Sequence, residues 1–297
     1  MIKKFFLESS SSNKHKKITK SNNVYMLGGL IFLVSLIFIE TSNFIKINFF
    51  VIYSIGLLAD KYFIKSASTR LIVQFIIIFI LIYFSKIIIF ETRIIFLDRL
   101  ISKELIGVTF TVLCILILMN GSNFIDGVNL NMIGYFLIIS LILYYLSKNN
   151  GLNINIENLK ITIFCLTIIY FFNMTGKIIS GDSGAYLISI FFGLKLILFA
   201  NNNTFISPYF IILLLWYPAF ENLFSIIRKT NLNRSILRPD FSHFHQLLFL
   251  NLCKINKNKL FCNNLSGILI NIYNLVILSF GARFIDNTQI LIMLTIL

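Results

Sequence analysis

Long runs of isoleucine, leucine and phenylalanine, each closed by a short polar stretch, set the rhythm of this chain. Ten apolar runs can be traced, at about 25–40, 45–59, 70–90, 105–119, 132–147, 158–173, 184–200, 204–221, 265–281 and 288–297. Most approach the roughly 20 residues a helix needs to cross a hydrocarbon core. No water is available inside a bilayer to satisfy backbone groups, so such runs fold as helices. The pattern predicts an all-α, polytopic integral membrane bundle of about ten transmembrane helices. The last run is short and stops abruptly. Residues 91–104 mix charges with Ile94, Ile95, Leu97, Leu100 and Ile101, which predicts an amphipathic helix on the outer surface. Residues 246–262 suggest a similar helix on the inner side. No internal repeat is visible, and so nothing suggests the repeated halves of many transporters.

Composition removes the water-soluble alternatives. Charged residues make up 13% of the 297-residue chain and hydrophobic residues 57%, with a mean hydropathy of +0.86, whereas soluble domains run near about 25% charged. The net charge of +14 raises a nucleic-acid partner, but the basic residues lie between the apolar runs, where the positive-inside rule accounts for them. With residues 1–24 inside, the inner segments hold 17 Lys and Arg, the outer segments hold 8, and Lys195 lies mid-span. That bias makes 1–24 a cytoplasmic N-terminal segment with no signal-peptide pattern. Residues 25–297 then form a single membrane-embedded domain with a long cytoplasmic loop at 222–264. Of the four cysteines, Cys114 and Cys165 lie in apolar runs, and Cys253 and Cys262 lie in a Lys-rich inner segment, so no disulfide is expected.

Four polar clusters sit at ends of apolar runs, and this topology puts all of them on the cytoplasmic side. They are Ala59-Asp60-Lys61, Asn120 through Gly127, Gly181-Asp182-Ser183-Gly184, and Arg238-Pro239-Asp240-Phe241-Ser242-His243-Phe244-His245. Asn120, Asn123 and Asp126 are spaced by three, one face of a helix. Amide and carboxylate oxygens on such a stripe suit Mg²⁺, a nucleotide, or both. The plain alternative is helix capping, which favours Asn, Asp and Gly. Asp182, on a glycine-flanked turn, allows close approach of phosphate and metal; a capping Asp or Ser reads equally well. Arg238, His243 and His245 suit pyrophosphate or sugar hydroxyls. The spacing of those histidines to Cys253 and Cys262 matches no zinc pattern. Asp60, alone, reads as a juxtamembrane cap.

Taken in order, these segments resemble the polyprenyl-phosphate N-acetylhexosamine-1-phosphate transferases. The resemblance runs from Gly28-Gly29 to His245. Gly56-Leu57-Leu58-Ala59-Asp60 with Arg70-Leu71-x-x-Gln74 resembles the family's Asp-Asp motif and the helix start after it. Asn120-x-x-Asn123-x-x-Asp126-Gly127-x-Asn129 resembles its central motif, Gly181 to Gly184 its Gly-Asp-Ser-Gly, and His243-x-His245-Gln246 its His-x-His-His segment. The chain departs from the pattern at Ala59 (family Asp), Asn129 (family Asp), Gln246 (family His) and Tyr25-Met26-Leu27 (no proline before the double glycine). It also starts without the family's helix upstream of Gly28.

The resemblance implies a Mg²⁺-dependent enzyme (Mn²⁺ as a substitute) of the bacterial inner membrane with its active-site loops in the cytoplasm. It would transfer an N-acetylhexosamine 1-phosphate from a UDP-sugar to polyprenyl (undecaprenyl) phosphate, release UMP and start a lipid-linked envelope glycan. His243-Phe244-His245-Gln246 favours the sugar-only branch over the muramoyl-pentapeptide branch. The implied catalytic residues are Asp60, Asp126 and Asp182, with Asp60 orienting or deprotonating the lipid phosphate. Asn123 and Asp182 would hold the metal; Arg70, Asn120, Asn129, Arg238, His243 and His245 would bind substrate. The expected partners are the UDP-N-acetylhexosamine, polyprenyl phosphate and the lipid bilayer, with no nucleic acid and a homodimer left open. Two rival readings are a flippase of lipid-linked sugars, which would want ionisable groups near the midplane where Lys195 alone qualifies, and a degenerate non-catalytic relative.

Overall fold

Serine and asparagine open several of the helices. Ser42, Ser66, Asn155, Ser207 and Asn258 hold extended backbones, and their side chains accept from amides two or three residues on. These bonds satisfy donors that a helix start otherwise leaves bare. The computed structural model describes residues 24–64, 66–233, 235 and 242–296. Among them the order is β1 (Tyr25–Met26), α1 (Gly28–Ser35), α2 (Asn43–Asp60), α3 (Ala67–Ser85), α4 (Ile95–Ile101), α5 (Glu104–Ile125), α6 (Asn131–Asn150) and α7 (Ile156–Met174). Then come β2 (Ile178–Ile179), α8 (Gly181–Asn202), α9 (Pro208–Leu214), α10 (Trp216–Asn231), α11 (Phe244–Ile255), α12 (Lys259–Gly281) and α13 (Thr288–Ile296). The all-α membrane architecture stands.

Fewer than ten spans are found among the described residues. Among the described residues, 7 helices (α2, α3, α5, α6, α7, α8 and α12) are long and apolar enough to cross a membrane. The expected span at 25–40 is instead a two-residue strand followed by the 8-residue α1. The one at 204–221 is broken into α9 and α10, bent by 74°. Pro218 explains the break: it has no N–H to give the carbonyl of Leu214 four residues back, and its ring crowds that carbonyl. The hydroxyl of Tyr135 donates to the freed Leu214 oxygen at 2.8 Å. Counted as one span, the bent pair makes 8. The final run forms the 9-residue α13 among the described residues. Much of the expected loop at 222–264 is helical, through α10, α11 and the start of α12. The surface helices expected at 91–104 and 246–262 correspond to α4 and α11.

Helix α8 is the centre of the bundle. In its apolar window 83% of residues are buried, against 22% in α3, where Ile72, Ile76, Ile80 and Phe84 form an exposed i, i+4 ridge suited to lipid. Small residues let the other helices approach α8 closely. A Cβ on Gly56 of α2 would lie 2.3 Å from Ser183 Cα, and one on Gly29 of α1 would lie 2.7 Å from Gly184 Cα. A parallel pairing of Tyr25 with Ile178 and Met26 with Ile179 ties β1 to the strand that leads into α8.

Candidate active site

The polar ends of α2, α3, α5, α8 and α11 meet at one end of the bundle. Helix α8 begins at Gly181, whose φ of +70° is open to glycine without strain. Its N-cap, Ser180, makes no side-chain capping bond. The cap comes from α2. Asp60 Oδ1 accepts from the Asp182 amide at 2.9 Å, and Oδ2 accepts from the Ser183 amide at 3.1 Å and the Ser183 hydroxyl at 3.0 Å. The carboxylate thus neutralises donors at the positive end of the helix dipole. It also occupies two amides that a phosphate at a helix N-terminus would use.

This placement makes Asp60 the cap of α8. The carboxylate is 9% exposed, and both oxygens accept from the start of that helix. Its neighbour Ala59 is buried in the same helix. What Asp60 positions is Asp182, in the first turn of α8. Asp182 is also buried, and its Oδ2 accepts from Arg70 Nη1 at 3.2 Å across to the first turn of α3. Two of the expected functional residues, Arg70 and Asp182, therefore form one ion pair at the mouth of the site, the arginine side chain 24% exposed and the aspartate 4%.

One turn below Arg70, Gln74 is buried, and its Oε1 lies 3.5 Å from Asn120 Nδ2 of α5. Asn120 also donates to the Leu116 carbonyl at 2.9 Å. Asn123 follows on the last turn of α5, half-buried, and Asp126 is the buried C-cap. Asn129 goes elsewhere: its amide N–H donates to Asn263 Oδ1 and its Nδ2 to Asn264 Oδ1, at 2.5 and 2.9 Å. Its side chain bonds to α12.

The histidines reach this cluster from α11. His243 packs against Phe124, with ring centroids 5.0 Å apart, and is stacked on His245 at 5.7 Å. His245 is fully buried over Gly127, where an added Cβ would lie 2.1 Å from Nε2. Neither of its ring nitrogens has a hydrogen-bond partner among the described residues. Burial, and to a lesser degree the nearby His243, hold its pKa well below the ordinary 6.5. His245, expected to bind substrate, is buried and stacked on His243, with its charged form disfavoured. Arg238 lies outside the described residues.

Glu221, which carried no expected role, holds this corner together. It is 3% exposed on α10. Its Oε2 lies 2.8 Å from His243 Nδ1, and its Oε1 accepts from the Phe244 amide at 3.0 Å. An acidic residue flanked by Trp216, Phe220 and Phe224 at the end of an apolar run was the available signal. Beside it a cavity of about 790 Å³ opens between α10, α11 and α12, lined by Trp216, Phe220, Phe224, Leu247, Leu269 and Tyr273 among others. Among the described residues, no group of three or more His, Cys, Asp or Glu side chains is gathered to hold a metal ion.

The apolar groove of α10 to α12 takes in Glu221, which is bonded to His243, and with at least seven apolar helices long enough to cross a bilayer among the described residues the fold defines a polytopic membrane protein. The sequence matches the family described as glycosyl transferase family 4 over residues 44–200, more than half of the chain, and the chain belongs to that family. It is 31% identical over 224 residues, 73% of this chain, to the probable undecaprenyl-phosphate N-acetylglucosaminyl 1-phosphate transferase of Bacillus subtilis (strain 168), and spans 61% of that relative's length. The family match covers Asp60, Arg70, the Asn120–Asn129 segment and Asp182; His243 and His245 lie beyond it.

Proposed function

We propose that this chain transfers an N-acetylhexosamine 1-phosphate from a UDP-sugar to polyprenyl phosphate at the cytoplasmic face of a bacterial inner membrane. The observation that carries the reading is Glu221, which lines the apolar groove of α10 to α12 and is bonded to His243 at the polar end of the bundle. A polyprenyl chain suits the first and its phosphate, with a nucleotide diphosphate, the second. An oxygen of the lipid phosphate attacks the sugar-bearing phosphorus of the UDP-sugar. A new P–O–P bridge forms, the bond from that phosphorus to the bridging oxygen of UMP breaks, and UMP leaves with the electron pair.

Two anions must meet, so charge neutralisation and alignment carry the acceleration. Arg70 stands at the mouth as a fixed cation. The lipid phosphate, with a second pKa near about 6, is already largely ionised at neutral pH, so no base is required of Asp60, whose task is to hold Asp182 still. Asp182 and the Asn123 amide are hard oxygen donors that fit Mg²⁺ brought in with substrate phosphates, the usual manner for this ion, and do not form a cage that would hold it alone. When bound, the ion supplies neutralisation of pyrophosphate charge. Asn120 and His243 would read the nucleotide-sugar. The relative's name supports N-acetylglucosamine as the sugar and undecaprenyl phosphate as the acceptor.

The test is release of labelled UMP from UDP-N-acetylglucosamine by membranes containing the chain, with undecaprenyl phosphate and Mg²⁺, beside an Asp182→Ala control. Turnover that needs lipid, metal and Asp182 is the expected result. Nucleotide binding without turnover, for every UDP-N-acetylhexosamine tried, would overturn it.

A further inference from the structure

We infer that Glu221 is a positioning residue for the transferase site: it fixes the proton of His243 on Nδ1 and so leaves Nε2 as the ring atom that meets a ligand. The inference rests on the proposed function for what that ligand is, and on geometry alone for the proton.

A carboxylate only accepts hydrogen bonds, so an imidazole nitrogen 2.8 Å from Glu221 Oε2 must carry a hydrogen. The second oxygen is equally committed, because Oε1 accepts from the Phe244 backbone. Glu221 cannot rotate without releasing one of the two. His243 is the N-cap of α11 and Phe244 its first residue, so one side chain sets both the start of that helix and the orientation of the ring. Contacts with Phe124 and His245 hold the ring further.

Burying a carboxylate in apolar surroundings is costly unless it is hydrogen-bonded, and both oxygens of Glu221 have partners here. The break at Leu215 is what makes the arrangement possible. It re-aims α10 so that Glu221 faces α11 at the polar end of the groove. With Nδ1 held, the neutral ring offers a lone pair at Nε2. The charged ring offers Nε2–H to a phosphoryl oxygen, with Glu221 behind it to balance the charge.

Glu221→Gln makes the inference sharp. The Phe244 amide still needs an acceptor, so the glutamine oxygen stays with it and the NH₂ faces His243. A donor now points at Nδ1, and the ring must move its proton to Nε2. Nitrogen-15 NMR of the full chain in lipid nanodiscs, labelled at histidine, reads this directly. The chain has 3 histidines, and His15→Asn and His243→Asn assign the signals.

The expected result is an Nδ1-protonated His243 in the parent chain and an Nε2-only ring in Glu221→Gln. Turnover should fall roughly 100-fold, the low end of the loss for a mispositioned imidazole, and KM for the UDP-sugar should rise with it, because His243 is the group proposed to read that substrate. Glu221→Asp, which keeps the acceptor, should restore part of the rate. An Nε2-protonated His243 in the parent, or an unchanged tautomer in Glu221→Gln with intact folding by thermal unfolding, would overturn the inference, as would a flipped tautomer with unchanged kcat. A flip in a chain that turns over no UDP-sugar would leave the positioning role standing and remove the proposed reaction.

Discussion

Asp60 and Asp182 are joined head to tail: the carboxylate of one accepts the backbone amide of the other at 2.9 Å, across 122 positions of sequence. The first aspartate ends a helix and the second begins one. The carboxylate of the first is the cap of the second helix.

That relationship separates two variants. Asp60→Ala removes three hydrogen bonds to a charged acceptor and should cost about 2–3 kcal/mol of stability, read as a lower unfolding temperature in detergent, together with loss of turnover. Asp60→Asn keeps one accepting oxygen and should lie between the two. An Asp60→Asn chain of parental stability with no turnover would instead place Asp60 in the chemistry itself.

Arg70 shares Asp182 with whatever cation the substrates bring. Arg70→Ala should lower kcat by about 100-fold through loss of a fixed charge. It should also reduce the Mg²⁺ concentration needed for half-maximal rate, because the competing cation on Asp182 is gone. A Mg²⁺ titration of UMP release in both chains checks this; a higher Mg²⁺ requirement in the variant would show cooperation between arginine and metal.

His245 gives a pH signature. Its folded pKa is depressed, so below about 6.5 the unfolded chain binds a proton that the folded chain refuses. Stability then rises with pH through that range and falls as pH drops, by about 1.4 kcal/mol per unit for one proton. Thermal unfolding at pH 7, 6 and 5 should show this slope in the parent chain and a shallower one in His245→Gln.

Gly127→Ala should fail for the same geometric reason, since the new methyl occupies the place of the His245 ring. Adding His245→Ala to it should recover much of the lost stability. Such recovery is a coupling between touching residues that a double-mutant cycle measures. Strict additivity would show that the two do not meet.

The groove makes a claim about substrate length. Leu247→Lys or Phe224→Glu places a charge on its wall, and KM for undecaprenyl phosphate should rise about 10-fold or more, the order expected when an apolar contact worth about 1.4 kcal/mol is lost. KM for the UDP-sugar should hold. A short-chain polyprenyl phosphate tested beside it should be much less affected.

The helical membrane architecture was legible because each span is written locally, as a run of apolar residues long enough to cross. The family was legible because its motifs carry unusual polar residues at span ends. What escaped was written in contacts between distant positions. Nothing near Asp60 announces the amides of Asp182 and Ser183, and nothing near Asn129 announces Asn263 and Asn264. Hydropathy carried the eighth apolar run straight through Pro218, although a proline inside a helix pattern is a local sign of a break. The missing N–H there divides one span into α9 and α10, and with it comes Glu221, a residue read only as the end of a hydrophobic stretch.

The short pairing of Tyr25–Met26 with Ile178–Ile179 has a consequence for how the protein is made. Both it and the Asp60 cap wait for residues 178–183, so more than half of the chain must leave the ribosome before the polar end can close. Helices α2, α3, α5, α6 and α7 can enter the bilayer one after another, but until α8 arrives the centre of the bundle is missing. Such long-range closure is slow compared with local helix formation. Insertion and assembly are therefore separate events here, and the arrival of a single central helix converts an inserted chain into a site.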